Sequence, residues 1–517
     1  MAETLSRGDA RLTYAQSSLG HAGELGVLRL RGDALALGAA RGQLHGEALA
    51  ANTSALIPSM TDATPRGGIV ARLLRGPRTS WRYRKLDDGI PGHQLVEIYG
   101  AMLGAAASPG DPPTYKDLVR IHASPDIGVP AGTTDATFRW VARSLSFATT
   151  LGGASGERLI IGRNFELPGA ADGGAAAIRH RTVAFVHPDG AIPYASVEWP
   201  GWIGVVSGMN AEGIAVMVHP AQTGDVDPTG GGQPVALLAR DILEHARSLE
   251  DAIGVLREAE PIGAAAFLLA HGHERDWLVV ELSPDGVAVR RAPDQPAVTG
   301  LLEASAFSDD PENDRARRTW PALQRAARVA ELLADATLET PADAAAVLRD
   351  RRGEHGARLP PGHRGAIDDP ASAHTAIFDV TGMVLYVAEG AGASGRFHAF
   401  DLRHELRGEG TRPAPPAPIE PVLAADSGDA HAVLAARLSL REARSAAAEG
   451  RGQDAWGHLQ RALARVPELP EALVLAGDYA IARGDSTDAD ALYRRYLEAG
   501  ADAPGTRETV RARLEER

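Results

Sequence analysis

Arg143-Ser144-Leu145-Ser146-Phe147-Ala148 is followed, after the turn GGASGER, by Leu159-Ile160-Ile161-Gly162-Arg163-Asn164-Phe165-Glu166. A small hydroxyl residue, a strand, a glycine-rich turn and a returning strand ending on Arg-Asn-x-acid make a β-hairpin that carries chemistry at both ends. Working outward, the residues after Leu159 keep a strand character. TVAFVHP, YASVEWPGWIGVVSG, GIAVMVHP, AAFLLAHG, DWLVVEL, GVAVRRA, TAIFDV and MVLYVAE are short, β-branched or aromatic, and parted by turn pairs such as Asp189-Gly190, Asp285-Gly286 and Thr381-Gly382. Helical spacing appears at Leu28–Met60, His93–Ala107, Val235–His245, Leu249–Ala259, Trp320–Ala334 and Pro341–Arg349. Strand clusters interrupted by helices predict an α+β layered domain with helices on the outer faces of sheets.

The chain has 517 residues, a formal charge of −14 and no cysteine. Without cysteine there is no disulfide framework, thiolate zinc site, iron–sulfur cluster or cysteine nucleophile. Of the 53 basic residues only Lys85 and Lys116 are lysine. The arginines are scattered among acids in a net negative chain, which argues against a nucleic-acid or anionic-membrane partner. No run reaches the ~18 apolar residues of a membrane span. Met1–Gly20 lacks the apolar segment of a signal peptide, so a cytoplasmic location is expected.

Phosphate-cradling and nucleophile-elbow motifs are missing. No cofactor or metal is expected. His93 and Glu97 stand four apart on a predicted helix without a third ligand and read as surface polar residues, and Asp225-Val226-Asp227 precedes a glycine run, a pattern more typical of a solvated loop than of a cation site.

Residues 408–429, GEGTRPAPPAPIEPVLAADSGD, are rich in Pro and Ala and read as a semi-rigid linker. Beyond it the sequence repeats itself. Ala443 and Gly477, Gly450 and Gly484, Ala455 and Ala489, Leu459 and Tyr493, and Leu463 and Leu497 are each separated by the 34 residues of a tetratricopeptide repeat. Residues 430–517 are therefore expected to form a tetratricopeptide-like, all-α hairpin region. Two units are fewer than such arrays need to stand alone, so the tail is expected to dock on the main domain or on a protein partner.

The hairpin resembles that of the acyl-coenzyme A:isopenicillin N acyltransferase-like family of N-terminal-nucleophile (Ntn) hydrolases, relatives of acid ceramidase and choloylglycine hydrolase. There a Cys-Thr-Ser-Phe-like strand leads into Gly-Arg-Asn-aromatic-Asp. Ser144 stands at the Cys, Leu145 at the Thr, Ser146 and Phe147 at the next two, and Arg163 and Glu166 at the Arg and Asp. Three further stretches fit the same resemblance over about the first 405 residues. They are Leu28-Arg29-Leu30-Arg31-Gly32 with Gly38 and Gly42, like an Arg-Gly strand running into a Gly-x-x-x-Gly helix; Trp199-Pro200-Gly201-Trp202-Ile203-Gly204 leading to Ser207-Gly208-Met209-Asn210; and the closing strands from His374-Thr375-Ala376 to Phe400.

The resemblance implies a four-layer αββα Ntn sandwich and cleavage of the Arg143–Ser144 bond. Segments 1–143 (a helical, propeptide-like part), 144–407 (the core), 408–429 (the linker) and 430–517 (the repeats) follow. Cleavage supplies what a serine nucleophile lacks. A hydroxyl needs a base, and the freed α-amine of Ser144, with a pKa of about 7.7–8.0, lies in the same residue. Arg163 and Glu166 are implied to position the N-terminus and the substrate, a small acyl amide or acyl thioester. Departures from the family are Ser for Cys, Glu for Asp, and Val218-His219-Pro220 and Ala304-Ser305-Ala306-Phe307 where the family carries asparagines. An oxyanion donor is worth roughly 10²–10³ in rate, and His219 or Ser305 stands in that role here. Arg315 or Arg318 aligns with a family arginine. Two readings stay open: an active serine acyltransferase or amidohydrolase, and an inactive relative that serves as a binding or protein-interaction module with its tail.

Overall fold

The computed structural model describes residues 6–7, 11–60, 83–109, 111–127, 144–152, 156–166, 180–224, 231–291, 295–335, 338–408, 415–422, 424–500 and 504–515. Strands β1 (Ser6–Arg7), β2 (Leu12–Tyr14), β3 (Ser17–Ala22) and β4 (Leu25–Gly32) precede helices α1 (Ala34–Met60), α2 (Gly92–Ala105) and α3 (Tyr115–Ile127). The hairpin β5 (Leu145–Leu151) and β6 (Arg158–Glu166) follows. Next come β7 (Thr182–Pro188), β8 (Tyr194–Glu198), β9 (Ser207–Asn210) and β10 (Ile214–Ala221). Helices α4 (Val235–His245) and α5 (Leu249–Arg257) lead to β11 (Ala264–His271), β12 (Asp276–Ser283), β13 (Gly286–Arg290) and β14 (Ala297–Val298). The sandwich closes with α6 (Pro311–Thr319), α7 (Ala322–Asp335), α8 (Pro341–Leu348), β15 (Ser372–Asp379), β16 (Val384–Ala388) and β17 (Phe397–Asp401).

Among the described residues these strands form two sheets, ordered β1-β2-β3-β4-β7-β8-β9-β10-β11-β12-β13 and β14-β5-β6-β15-β16-β17. Period-two patterning sorts the central strands, β8, β10, β11 and β15 among them, into two buried faces. Met217, Ala266, Leu268, Val183 and Phe185 of the large sheet meet Ala148, Ile161, Ala376, Phe378 and Leu385 of the small one in a shared core. The intervening residues, Val216, Val218, Phe267 and Leu269, face outward onto Leu37 and Leu44 of α1, Leu238 and Ile242 of α4, and Ile253 of α5. Leu145, Phe147, Ile160 and Ile377 pack against Val329 of α7 and Val347 and Leu348 of α8. The result is helix, sheet, sheet, helix.

The N-terminal part is not purely helical. Leu28 and Leu30 look like the start of a helix because the apolar spacing runs on into α1, yet they lie on β4. That strand pairs parallel to β7 from Gly26–Thr182 to Gly32–Pro188. Gly32, at φ 126°, ends the strand, and the Asp33 carboxylate accepts from Ala36 N at 2.9 Å to start α1. Helices α1 and α2 touch backbone to backbone. A Cβ on Gly38 would lie 2.1 Å from the Glu97 carbonyl oxygen, and one on Gly42 2.3 Å from that of Ala101.

The tail consists of α9 (Ala424–Ala448), α10 (Gly452–Arg465), α11 (Pro470–Ala482), α12 (Ser486–Glu498) and α13 (Pro504–Glu515). Helix α9 begins inside the stretch expected to be linker, and Ile419 of that stretch bridges to Phe397 of β17. Gly450 (φ 78°) and Gly484 (φ 82°) occupy left-handed turns between paired helices. Leu459, Ala462, Ala476, Ala489, Tyr493 and Tyr496 share one core. The tail also docks on the sandwich. Val433 and Leu469 pack on Gly362, where a Cβ would lie 2.6 Å from a Leu469 methyl. His363 Nε2 lies 2.9 Å from the carbonyl of Gly500.

No described helix is long and apolar enough to cross a membrane.

Candidate active site

Ser144 sits immediately before β5, and Ser146 two residues on. Because Ala148 of the same strand points into the core between the sheets, Ser144 and Ser146 share that inward face. Both are buried. The Ser144 hydroxyl oxygen accepts from Glu166 N at 3.2 Å. Ser146 pairs in register with Arg163 on β6 and holds Nε2 of His219 at 2.6 Å across the sheets. Residue 143, the other half of the expected scissile bond, lies outside the described residues.

Arg163 also points inward, as Ile161 does. It reaches the opposite sheet, donating to the carbonyls of Val206 and Val218 and, at 3.3 Å, to the hydroxyl of Ser207. Ser207 in turn contacts Nε2 of His374 at 2.9 Å. One guanidinium thus stands between two serine–histidine pairs. Its carbon lies 4.7 Å from the centre of the Phe165 ring, which is stacked on His374 at 4.9 Å and on Trp199 at 5.9 Å. Burial pulls the Arg163 pKa down to about 9, with Glu166 acting in the opposite sense. Burial and then Arg163 push both His219 and His374 well below the ordinary histidine value, so both rings are neutral near pH 7.

Glu166 faces the other way. Three residues along a strand reverse the side, so Asn164 and Glu166 look toward the helical layer while Arg163 looks toward the large sheet. Asn164 Nδ2 donates to the carbonyls of Leu348 and Ile367 at 3.0 and 2.8 Å, and its Oδ1 accepts from Thr375 at 2.7 Å. Glu166 Oε1 accepts from Arg325 Nη2 of α7 at 2.6 Å, with Arg325 3% exposed. Such a pair, out of water and linked to the Ile367 carbonyl at 3.0 Å, fixes the end of β6.

The structure thus gathers Ser144, Arg163, Glu166 and His219 around one hairpin. Ser305 is exposed on a short turn, and no hydrogen bond joins it to Ser144. Arg315 and Arg318 pair locally with Glu312 and Asp314, and the arginine that does reach the hairpin is Arg325. Glu97 does not join His93. It is buried between Arg41 (2.8 Å) and Arg240 (2.6 Å), while His93 lies 3.2 Å from Glu244. Asp225 and Asp227 lie outside the described residues.

Sequence reasoning passed over Ser146, Ser207, His374 and Arg325 as site residues. The two-residue spacing of Ser146 from Ser144 was a usable signal. Arg325, a helical arginine 159 positions from its partner, carried none.

Fold and site together define a two-sheet sandwich with a hydroxyl-bearing hairpin at the seam and an arginine tying the sheets behind it. Residues 154–393 match the family described as acyl-coenzyme A:6-aminopenicillanic acid acyl-transferase. That match supports a relationship to this acyl-transferase family across this segment. A curated relative, an uncharacterized protein of Archaeoglobus fulgidus, is 29% identical over 106 residues, 20% of this chain and 18% of its own length. The chain thus spans less than a fifth of that relative. Among solved structures, a C2A mutant conjugated bile acid hydrolase of Clostridium perfringens is 12% identical with a TM-score of 0.36, over 53% of this chain and 96% of its own. A Caenorhabditis elegans N-acylethanolamine-hydrolyzing acid amidase ortholog is 13% identical with a TM-score of 0.32, over 46% and 93%.

Proposed function

We propose that the protein is a self-processing Ntn acyltransferase or amidohydrolase in which Ser144 is the nucleophile. The observation that carries this reading is the placement of the Ser144 hydroxyl on the face of the hairpin turned to the seam between the sheets, beside Glu166 N and two residues from Ser146, the ladder partner of Arg163. Cleavage of Arg143–Ser144 frees the Ser144 α-amine. That amine takes the hydroxyl proton as Oγ attacks the acyl carbon of a small amide or thioester. An ester forms on Ser144, the C–N or C–S bond breaks, and the proton leaves with the amine or thiol. Water or an acceptor amine then releases the acyl group. Arg163 holds the two sheets at the spacing this needs, and His219, neutral and linked through Ser146, is the polar group beside the developing oxyanion. Ser305 has no part in this reading.

The tail is read as a tetratricopeptide-like pair, with a protein partner through residues 430–517 as its proposed role. The closure of the site, with Ser144 2% exposed, favours as a second reading an inactive relative used for binding.

Denaturing electrophoresis and N-terminal sequencing separate the two. The active reading requires pieces 1–143 and 144–517, lost in Ser144→Ala, and turnover of an acyl amide or acyl thioester. An intact, inert 54.2 kDa chain leaves the binding reading.

A further inference from the structure

Helix α9 carries Arg437, 1% exposed, into the seam between tail and sandwich. Its Nη1 donates to Asp369 Oδ1 at 2.5 Å, and its Nη2 to Asp369 Oδ2 and the Gly362 carbonyl, each at 3.2 Å. Its Nε donates to Glu471 Oε1 of α11 at 3.2 Å. Asp369 belongs to the buried stretch that enters β15, and residues of the site hold that stretch from the other side. The Ile367 carbonyl accepts from Asn164 and from Arg325, the partner of Glu166. Ser372, opposite Glu166 in the β15–β6 ladder, donates its N–H to the Asp369 carbonyl at 2.9 Å. Neighbouring aspartates part here: Asp368 takes Arg351 of the sandwich at 2.9 Å, and Asp369 takes the tail.

We propose that Arg437 is a positioning residue for the hairpin site, through which the docked tail holds Glu166, and with it Ser144, in place. This rests on the reading of Ser144 and Glu166 given above. A two-pronged guanidinium–carboxylate contact fixes direction as well as distance. The stretch 367–372 is short and clamped at both ends, so a shift of Asp369 is passed to Ile367, Arg325 and Glu166. Burial works against the charge on Arg437, while Asp369, Glu471 and Glu166 all favour it. The site carboxylate is therefore within electrostatic reach of the tail.

The test is Arg437→Met in the full-length chain, read by hydrogen–deuterium exchange and by the rate of Arg143–Ser144 cleavage. The expected result is faster exchange in 163–166 and 366–376 with unchanged exchange in 264–283, and cleavage slowed roughly 10²-fold, as a misplacement of about 1 Å produces. Arg437→Lys, which keeps the charge and loses the fork, should fall between. Faster exchange confined to 424–500 with cleavage at the wild-type rate overturns the proposal. If the wild-type chain is never cleaved, the Ser144 reading fails by itself. Exchange at 163–166 then decides, a rise supporting the coupling and no change overturning it. Should Arg437→Met fail to fold, Asp369→Asn is read by the same two measurements with the same deciding outcomes.

Discussion

Ser146 Oγ stands 2.6 Å from Nε2 of His219, and this contact joins the six-stranded sheet to the eleven-stranded one. Both partners are fully buried, so deleting either strands the other away from water. Ser146→Ala and His219→Ala should each cost about 1–3 kcal/mol in urea denaturation. The double variant should cost less than their sum by roughly 0.5–3 kcal/mol. Strict additivity would show that the pair carries no coupling.

Acid should destabilise the protein through its buried histidines, before its exposed carboxylates are protonated. His122 donates Nδ1–H to the Leu118 carbonyl at 2.7 Å and accepts Ile203 N at Nε2 at 2.9 Å, which leaves no room for a second proton. Burial takes its pKa to about 4, and that of His45 to about 3. The unfolded chain binds these protons below about pH 6.5 and the native chain does not. The stability is thus complete above that pH and is lost as pH falls, for His122 down to about 4. Each such ring contributes at most about 1.4 kcal/mol per pH unit. Asp126 opposes them, since burial raises its pKa to about 8 and its contribution fades as pH rises. His122→Phe should flatten the curve of stability against pH over this window. A slope identical to wild type would sink the assignment.

Arg325→Met should destabilise more than an average core substitution. It removes the cation 2.6 Å from the Glu166 carboxylate, and breaking a buried pair from one side costs roughly 3–5 kcal/mol. Arg325→Met with Glu166→Gln should regain much of that loss in chemical denaturation. No recovery would mean that the damage comes from packing rather than from the stranded charge.

In the tail, Gly477 and Tyr493 occupy the places that Ala443 and Leu459 hold 34 residues earlier. A Cβ on Gly477 would lie 2.4 Å from Cε1 of Tyr493. Gly477→Ala should therefore cost about 1–3 kcal/mol by overpacking, and Tyr493→Leu in the same chain should relieve it. Thermal unfolding of the two variants beside the wild type decides. A neutral Gly477→Ala would show that the helices part freely.

Legibility followed range. The hairpin was readable because Leu145–Leu151 and Arg158–Glu166 declare themselves by alternation around a glycine turn, and Arg163 by its place at the end. Spacing alone puts Leu28 and Leu30 on a helix while the family resemblance puts them on a strand, and what makes them a strand is pairing with β7 some 150 positions away. Arg325 and Arg437 were invisible for the same reason, their partners being set by tertiary packing. Ser305 matched by order along the chain, yet its turn faces solvent. Glu97, expected with His93 to be a surface polar residue, is instead buried between two arginines from other helices, a choice that no local spacing encodes.

The parallel pairing of β4 with β7 bears on what becomes of a cut chain. The described residues before Ser144 are not a flap over the molecule, since β4 is stitched between β3 and β7 inside the large sheet. A protein nicked at Arg143–Ser144 would therefore elute as a single particle of the uncut size, and its two fragments would separate only in denaturant. In such a nicked chain the N-terminal fragment would be a permanent subunit made from the same gene product, departing only when the large sheet itself comes apart.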